Sequence, residues 1–175
     1  TKLPATIAIV TNIDPEHMSH YGTEEKLFNA FRTYIKNIPF YGLAIICSDH
    51  PVCRQLIEEI NDRRLVTYGL EPGADIFADQ IQMGPEGIEF KVTLSPKARQ
   101  LFHMGDDAPQ EGAFTLSMVG AHNVQNALSI IACGLEIGLS LDQMKKGFAS
   151  FEGVKRRFTR VGEWNGVTLI DDYGH

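Results

Sequence analysis

An α/β fold, with a mostly parallel sheet, flanking helices and an added antiparallel hairpin, follows from three features of the sequence. Short apolar runs alternate with segments of helical period over residues 7–69, the pattern of strands joined by crossover helices. Beyond them, Gly84-Pro85-Glu86-Gly87 is a turn signal between two strand-like stretches. Near the end, Asn165-Gly166 sits between two further strand-like runs, which signals a type I′ hairpin.

Taken in order, Ile7 to Val10 is short and apolar and reads as a buried strand. Thr23 can cap the helix that follows, because its hydroxyl can accept from a free first-turn N–H. Glu24 and Glu25 then sit where the helix dipole favours acids. Leu27, Phe28, Phe31, Ile35 and Ile38 mark the buried face, and Pro39 ends the helix. Leu43 to Cys47 is a second strand. Pro51 opens a helix with Val52, Leu56, Ile57 and Ile60 on one side. Leu65 to Tyr68 is a third strand, closed by Gly69. The stretches Asp75 to Met83 and Ile88 to Leu94 form the antiparallel hairpin, and residues 97–112 read as a loop. Phe114 to Val119 is a strand, and a long helix runs from about Asn123 to Gly138. Ser140 and Gln143 make a capping box for a helix through Met144 and Phe148. Arg157 to Glu163 and Val167 to Ile170 are the last hairpin's strands, with a domain boundary near Gly153.

Bulk properties narrow the function classes. The 175 residues are 43% hydrophobic and 22% charged, ordinary globular values. No run approaches the roughly 18 apolar residues of a membrane span. The three cysteines, Cys47, Cys53 and Cys133, have no metal-ligand spacing and read as reduced thiols of a cytoplasmic protein. Net charge is −6 and the longest basic run is Lys155-Arg156-Arg157, which disfavours a nucleic-acid partner. The chain opens almost directly on a strand and stops inside a polar cluster, so it reads as an internal piece of a longer protein.

Four polar clusters are candidates for chemistry. The loop Thr11-Asn12-Ile13-Asp14-Pro15-Glu16-His17-Met18 follows a parallel strand, where ligand sites of open α/β sheets gather. His17 beside carboxylates can bind a divalent metal or a phosphate; as a turn started by Asp14-Pro15, the loop carries no chemistry. Gly120-Ala121-His122-Asn123-Val124-Gln125-Asn126 follows a strand and opens a helix. Asn123 and Asn126 are three apart, and an amide matches the adenine edge by donating and accepting at once. Asn123 is equally a good helix cap, an explanation that fits Asn126 less well. Arg156 and Arg157 can clamp a phosphate or can simply be solvated, and successive strand residues face opposite ways, so one of the two reaches a given ligand. Asp171 and Asp172 can bind a ribose diol or a metal, or form a turn. A G-x-x-x-x-G-K-[ST] phosphate loop and a G-x-G-x-x-G turn are both missing from the sequence.

Together, in this order, the clusters resemble the motifs of the Mur ligase family. Residues 11–18 resemble "TNI-x-x-D/E-HM", Gly120 to Asn126 "G-x-HN-x-x-N", Phe151 to Phe158 "F-x-G-x-x-RRF", and Asp171 to His175 the opening of "DDYGHHP". The segments Ile38 to Gly42, Lys155 to Phe158 and Asp171 to His175 are most similar to the members that join L-alanine to UDP-N-acetylmuramate, with the murein-tripeptide recycling members as nearest alternative. A folate polyglutamate ligase is a weaker alternative, and a non-catalytic nucleotide-binding module is another.

The resemblance implies a P-loop-type ATPase domain whose later part is residues 1–153. Residues 154–175 would then begin a Rossmann-like C-terminal domain. It implies ATP and Mg2+ as cofactors and an acyl-phosphate intermediate, with UDP-N-acetylmuramate and L-alanine as partners. Carried over by position, His17 would ligate magnesium and Asn123 and Asn126 would read adenine, flanked by His122. Arg157 would contact ATP phosphate and Asp172 the ribose, with Tyr173 and His175 near the incoming amino acid. The phosphate-loop lysine and a first metal-binding glutamate would lie upstream, so this chain alone is expected to be inactive.

Overall fold

The computed structural model describes residues 5–15, 18–84, 87–151, 153–154 and 159–171. Its main sheet has six strands in sequence order: β1 (Ile7–Val10), β2 (Leu43–Cys47), β3 (Arg64–Gly69), β4 (Ile76–Gly84), β5 (Gly87–Leu94) and β6 (Glu111–Leu116). The pairings from β1 through β4 are parallel, and those of β4 with β5 and β5 with β6 are antiparallel. Every residue of β2 is buried, as a central parallel strand covered on both faces requires.

Side chains alternate across β2 and so divide the core in two. Ala44 and Ile46 join Ala8, Val10 and the apolar stripes of α2 (Glu24–Lys36) and α3 (Pro51–Glu59). Leu43, Ile45 and Cys47 face the other way, with Val66, Tyr68 and the helices α5 (Ala121–Glu136) and α6 (Leu141–Ala149). On that face β6 alternates buried and exposed residues. Its Phe114 stacks on Phe90 at 5.8 Å and meets Phe148 of α6 edge-on at 5.7 Å.

Strands β3 and β4 are parallel yet joined by only residues 70–75, and their pairing covers just Tyr68 with Ile76 and Gly69 with Phe77. The buried Asp75 stabilises this tight reversal. Its carboxylate accepts from Thr67 N (2.9 Å), Thr67 Oγ1 (3.0 Å) and Lys97 Nζ (2.8 Å), so the charge is balanced where it is desolvated.

Most expected elements form. Thr23 caps α2 by accepting from Lys26 N, and the Ser140–Gln143 capping box closes both of its bonds. Asn165 and Gly166 both have positive φ, as a type I′ turn requires, between β7 (Thr159–Trp164) and β8 (Val167–Asp171), a separate two-stranded sheet.

Three expectations need correction, and one short helix adds to them. Residues 97–112 are not one loop: Pro96–Leu101 is a helix, α4, capped by Ser95, whose hydroxyl accepts from Ala98 N. A short helix, α1 (Met18–Tyr21), precedes Thr23. The sixth strand is Glu111–Leu116 rather than Phe114 to Val119, because its pairing with β5 starts at Glu111 opposite Thr93. Asn123 is not a helix cap. The N-cap of α5 is Gly120 at φ 99°, a left-handed conformation that glycine adopts without strain. The same helix stops at Glu136 in a Schellman motif, with Leu139 N donating to Gly134 O and Gly138 N to Leu135 O.

Candidate functional site

The carboxyl ends of β1, β2 and β3 open into one polar cleft, roofed by the first turns of α5. Its cavity volume is 410 Å³, within the range of small-molecule sites. Thr11 and Asn12 come from the end of β1, Asp49, His50 and Pro51 from the end of β2, and His122, Gln125 and Asn126 from α5. Cys47 and Tyr68 form the floor. Parallel strands aim their ends the same way, and the chain leaves each for a helix or loop, so polar loop residues collect at this edge.

The three α5 residues are spaced i, i+3 and i+4, one stripe of a helix turning about 100° per residue. Asn123 falls to one side of that stripe. Its Nδ2 donates to Val119 O at 2.7 Å, and it does not line the cavity. Asn126 does, and among the described residues its amide has no hydrogen-bond partner, so both donor and acceptor are free for a ligand. His122 is held over Gly120: a Cβ there would lie 2.6 Å from the imidazole Cε1.

Polar groups of the β2 end are already engaged. The Asp49 carboxylate accepts from Leu70 N at 3.0 and 2.8 Å, Glu71 N at 3.3 Å and Gln125 Nε2 at 2.6 Å. His50 Nε2 lies 3.0 Å from Asp14 Oδ1, which ties the β1 loop to the start of α3, while its Nδ1 is buried without a partner among the described residues. Burial pushes up the Cys47 thiol and the Tyr68 phenol, so both stay protonated near neutral pH. The floor therefore supplies shape and hydrogen bonding, not a nucleophile.

Of the residues singled out in the sequence, His122 and Asn126 meet in this cleft with the Thr11-Asn12 end of the first loop. His17, Arg156, Arg157, Asp172, Tyr173 and His175 lie outside the described residues. Asp49, His50 and Gln125 went unremarked in the sequence. The signal for Asp49 and His50 was present, since they follow an apolar strand just as Thr11 and Asn12 do. Gln125 had no signal before the register of α5 was known.

Comparisons with known proteins agree with this architecture. The family model described as the Mur ligase middle domain matches residues 1–134. A UDP-N-acetylmuramate–L-alanine ligase of Rhodospirillum rubrum is 50% identical over 100% of this chain and 35% of its own length. That of Phenylobacterium zucineum is 48% identical over 99% of this chain and 35% of its own. The chain thus spans about a third of the length of the curated relatives it matches.

Among solved structures, UDP-N-acetylmuramate-alanine ligase from Thermotoga maritima superposes with a TM-score of 0.77 at 21% identity, covering 99% of this chain and 36% of that one. MurF from Acinetobacter baumannii gives 0.77 at 24% identity, covering 95% and 33%. At those identities the likeness shows the fold. The domain match and the identities with the curated ligases lead to one conclusion: the chain belongs to the Mur ligase family.

Proposed function

We propose that this chain is part of an ATP-dependent UDP-N-acetylmuramate–L-alanine ligase of peptidoglycan precursor synthesis, and that its strand-end cleft receives the nucleotide. The observation that carries the reading is the 45–50% identity with ligases of that name along essentially the whole chain. Residues 1–153 are the later part of the central ATP-binding domain. Residues 154–175 begin the C-terminal domain, a reading supported by the separate sheet of β7 and β8.

Adenine recognition fits the free amide of Asn126. Its NH2 donates to N7 and its carbonyl accepts from the N6 amine, a two-point match to that base edge. His122 flanks the base, and Asn123, the other amide proposed to read adenine, has its Nδ2 on Val119 O and its carbonyl left for that role. Arg157 contacts phosphate, Asp172 the ribose hydroxyls, and Tyr173 and His175 lie near the amino acid.

The reaction transfers the γ-phosphoryl group to the sugar-acid carboxylate, giving an acyl phosphate. The alanine amine then attacks the acyl carbon and phosphate leaves. Two anions must be held in line, so most of the work is electrostatic. Magnesium, when bound, neutralises phosphate charge there. His17 is the residue of this chain that would help to hold it.

Cytoplasmic location accords with these substrates, and no helix among the described residues is long and apolar enough to cross a membrane. This chain alone, lacking a phosphate loop, releases no phosphate.

The full-length protein given UDP-N-acetylmuramate, ATP and L-alanine releases phosphate in amounts equal to the product formed. Turnover with a murein tripeptide but not with L-alanine overturns this assignment in favour of the recycling ligase. Nucleotide binding without turnover on either substrate indicates a non-catalytic module.

A further inference from the structure

Among the described residues the cleft contains a polar side-chain bridge between the end of β2 and α5, which nucleotide recognition by Asn126 does not itself use. Asp49 closes the end of β2, and Gln125 lies on α5 directly before Asn126. Their bond, Gln125 Nε2 to Asp49 Oδ2, is 2.6 Å long and spans 76 residues of sequence. The carboxylate is itself fixed from a third direction by the N–H groups of Leu70 and Glu71, just beyond β3.

Gly69 makes that arrangement possible. Any Cβ at that position would lie 2.3 Å from Asp49 Oδ1, far inside contact distance, so only glycine lets the carboxylate sit against the β3 end. The N-cap of α5, Gly120, offers no side-chain capping bond. The bidentate Arg64–Glu136 pair (2.6 and 3.0 Å) fixes the far end of α5 to β3, while near its start the packing of Val124, Ala127 and Leu128 is non-directional. The Asp49–Gln125 bond is directional, and it acts one residue away from the amide that faces the cavity.

We propose that Asp49 and Gln125 form a positioning pair that sets the rotation and depth of the first turns of α5, and so aims Asn126 at the purine. Gly69 provides the space the pair requires. This rests on reading the cleft as the ATP site. Neither residue needs to touch the nucleotide. Their effect is exerted through Asn126, where a displacement of a fraction of an ångström weakens a two-point hydrogen bond.

The full-length protein with Gln125→Glu, Asp49→Asn or both tests the pair, read by the dissociation constant for ATP and by KM for ATP and for L-alanine. Gln125→Glu sets carboxylate against carboxylate and is expected to weaken ATP binding about tenfold, leaving KM for alanine within about twofold. In the double variant the asparagine amide donates to the new glutamate, and ATP affinity returns to within about threefold of wild type. Gly69→Ala, which displaces the Asp49 carboxylate, weakens ATP binding as Gln125→Glu does.

A lowered melting temperature with ATP affinity unchanged, equal effects on both substrates, or no recovery in the double variant each overturns the positioning role. Failure of the ATP-site reading looks different: the wild-type protein itself then shows no ATP binding, and both proposals fall. Wild-type binding without ligation overturns the proposed reaction alone, and the pair is still judged on affinity.

Discussion

Asn126 shows how one side chain's usefulness depends on what its neighbours leave free. Asn123 donates its amide to Val119 O, whereas Asn126 keeps its amide open to the cavity. Asn126→Ala in the full-length protein is therefore expected to raise KM for ATP about tenfold or more, the scale of losing a bidentate base contact, with KM for alanine unchanged. Steady-state kinetics with each substrate varied in turn measure this. His17→Ala is expected to lower kcat strongly with little change in melting temperature, as loss of a metal ligand should. Activity surviving within a few-fold shows that the metal assignment is wrong. Cys53, fully buried, has its thiol pushed up to about 12 from 9.0 by desolvation. Between those values the unfolded thiol ionises and the folded one does not, so stability is full below pH 9 and falls as pH rises through the window. Urea midpoints at pH 8 and pH 10 are expected to show that loss, and Cys53→Ala to reduce it.

At the scale of elements, side-chain caps decide where several helices begin. In α6 the Ser140 hydroxyl accepts from Gln143 N and the Gln143 side chain accepts from Ser140 N. Ser140→Ala should cost about 1 kcal/mol, seen as roughly fivefold faster hydrogen exchange over residues 141–149. The capping box was legible in the sequence because both partners lie within one turn. The Ser95-Pro96 start of α4 is equally local, but the helix behind it is only Pro96–Leu101, too short to show a helical period within residues 97–112. The start of α5 was misplaced for another reason. Asn123 has a capping side chain, but Gly120 already turns the chain through a left-handed φ, and the helix is under way when Asn123 is reached.

Across the whole molecule, periodicity made the parallel β1–β3 region readable, since each strand and crossover helix is a local pattern with its own burial stripe. It could not show that β4 pairs in parallel with β3 after a six-residue reversal over residues 70–75, because that depends on Asp75 meeting Thr67 and Lys97. The site was half legible for the same reason. The loop after β1 and the first turn of α5 each stood out alone, but their meeting with Asp49 and His50 is a consequence of topology. What unites them is the strand-end cleft, and its role as the nucleotide site is tested most directly by a crystal structure of the full-length protein with a non-hydrolysable ATP analogue. The purine is expected against the Asn126 amide, beside His122. A purine bound away from this edge of the sheet, with Asn126 facing solvent, contradicts the assignment.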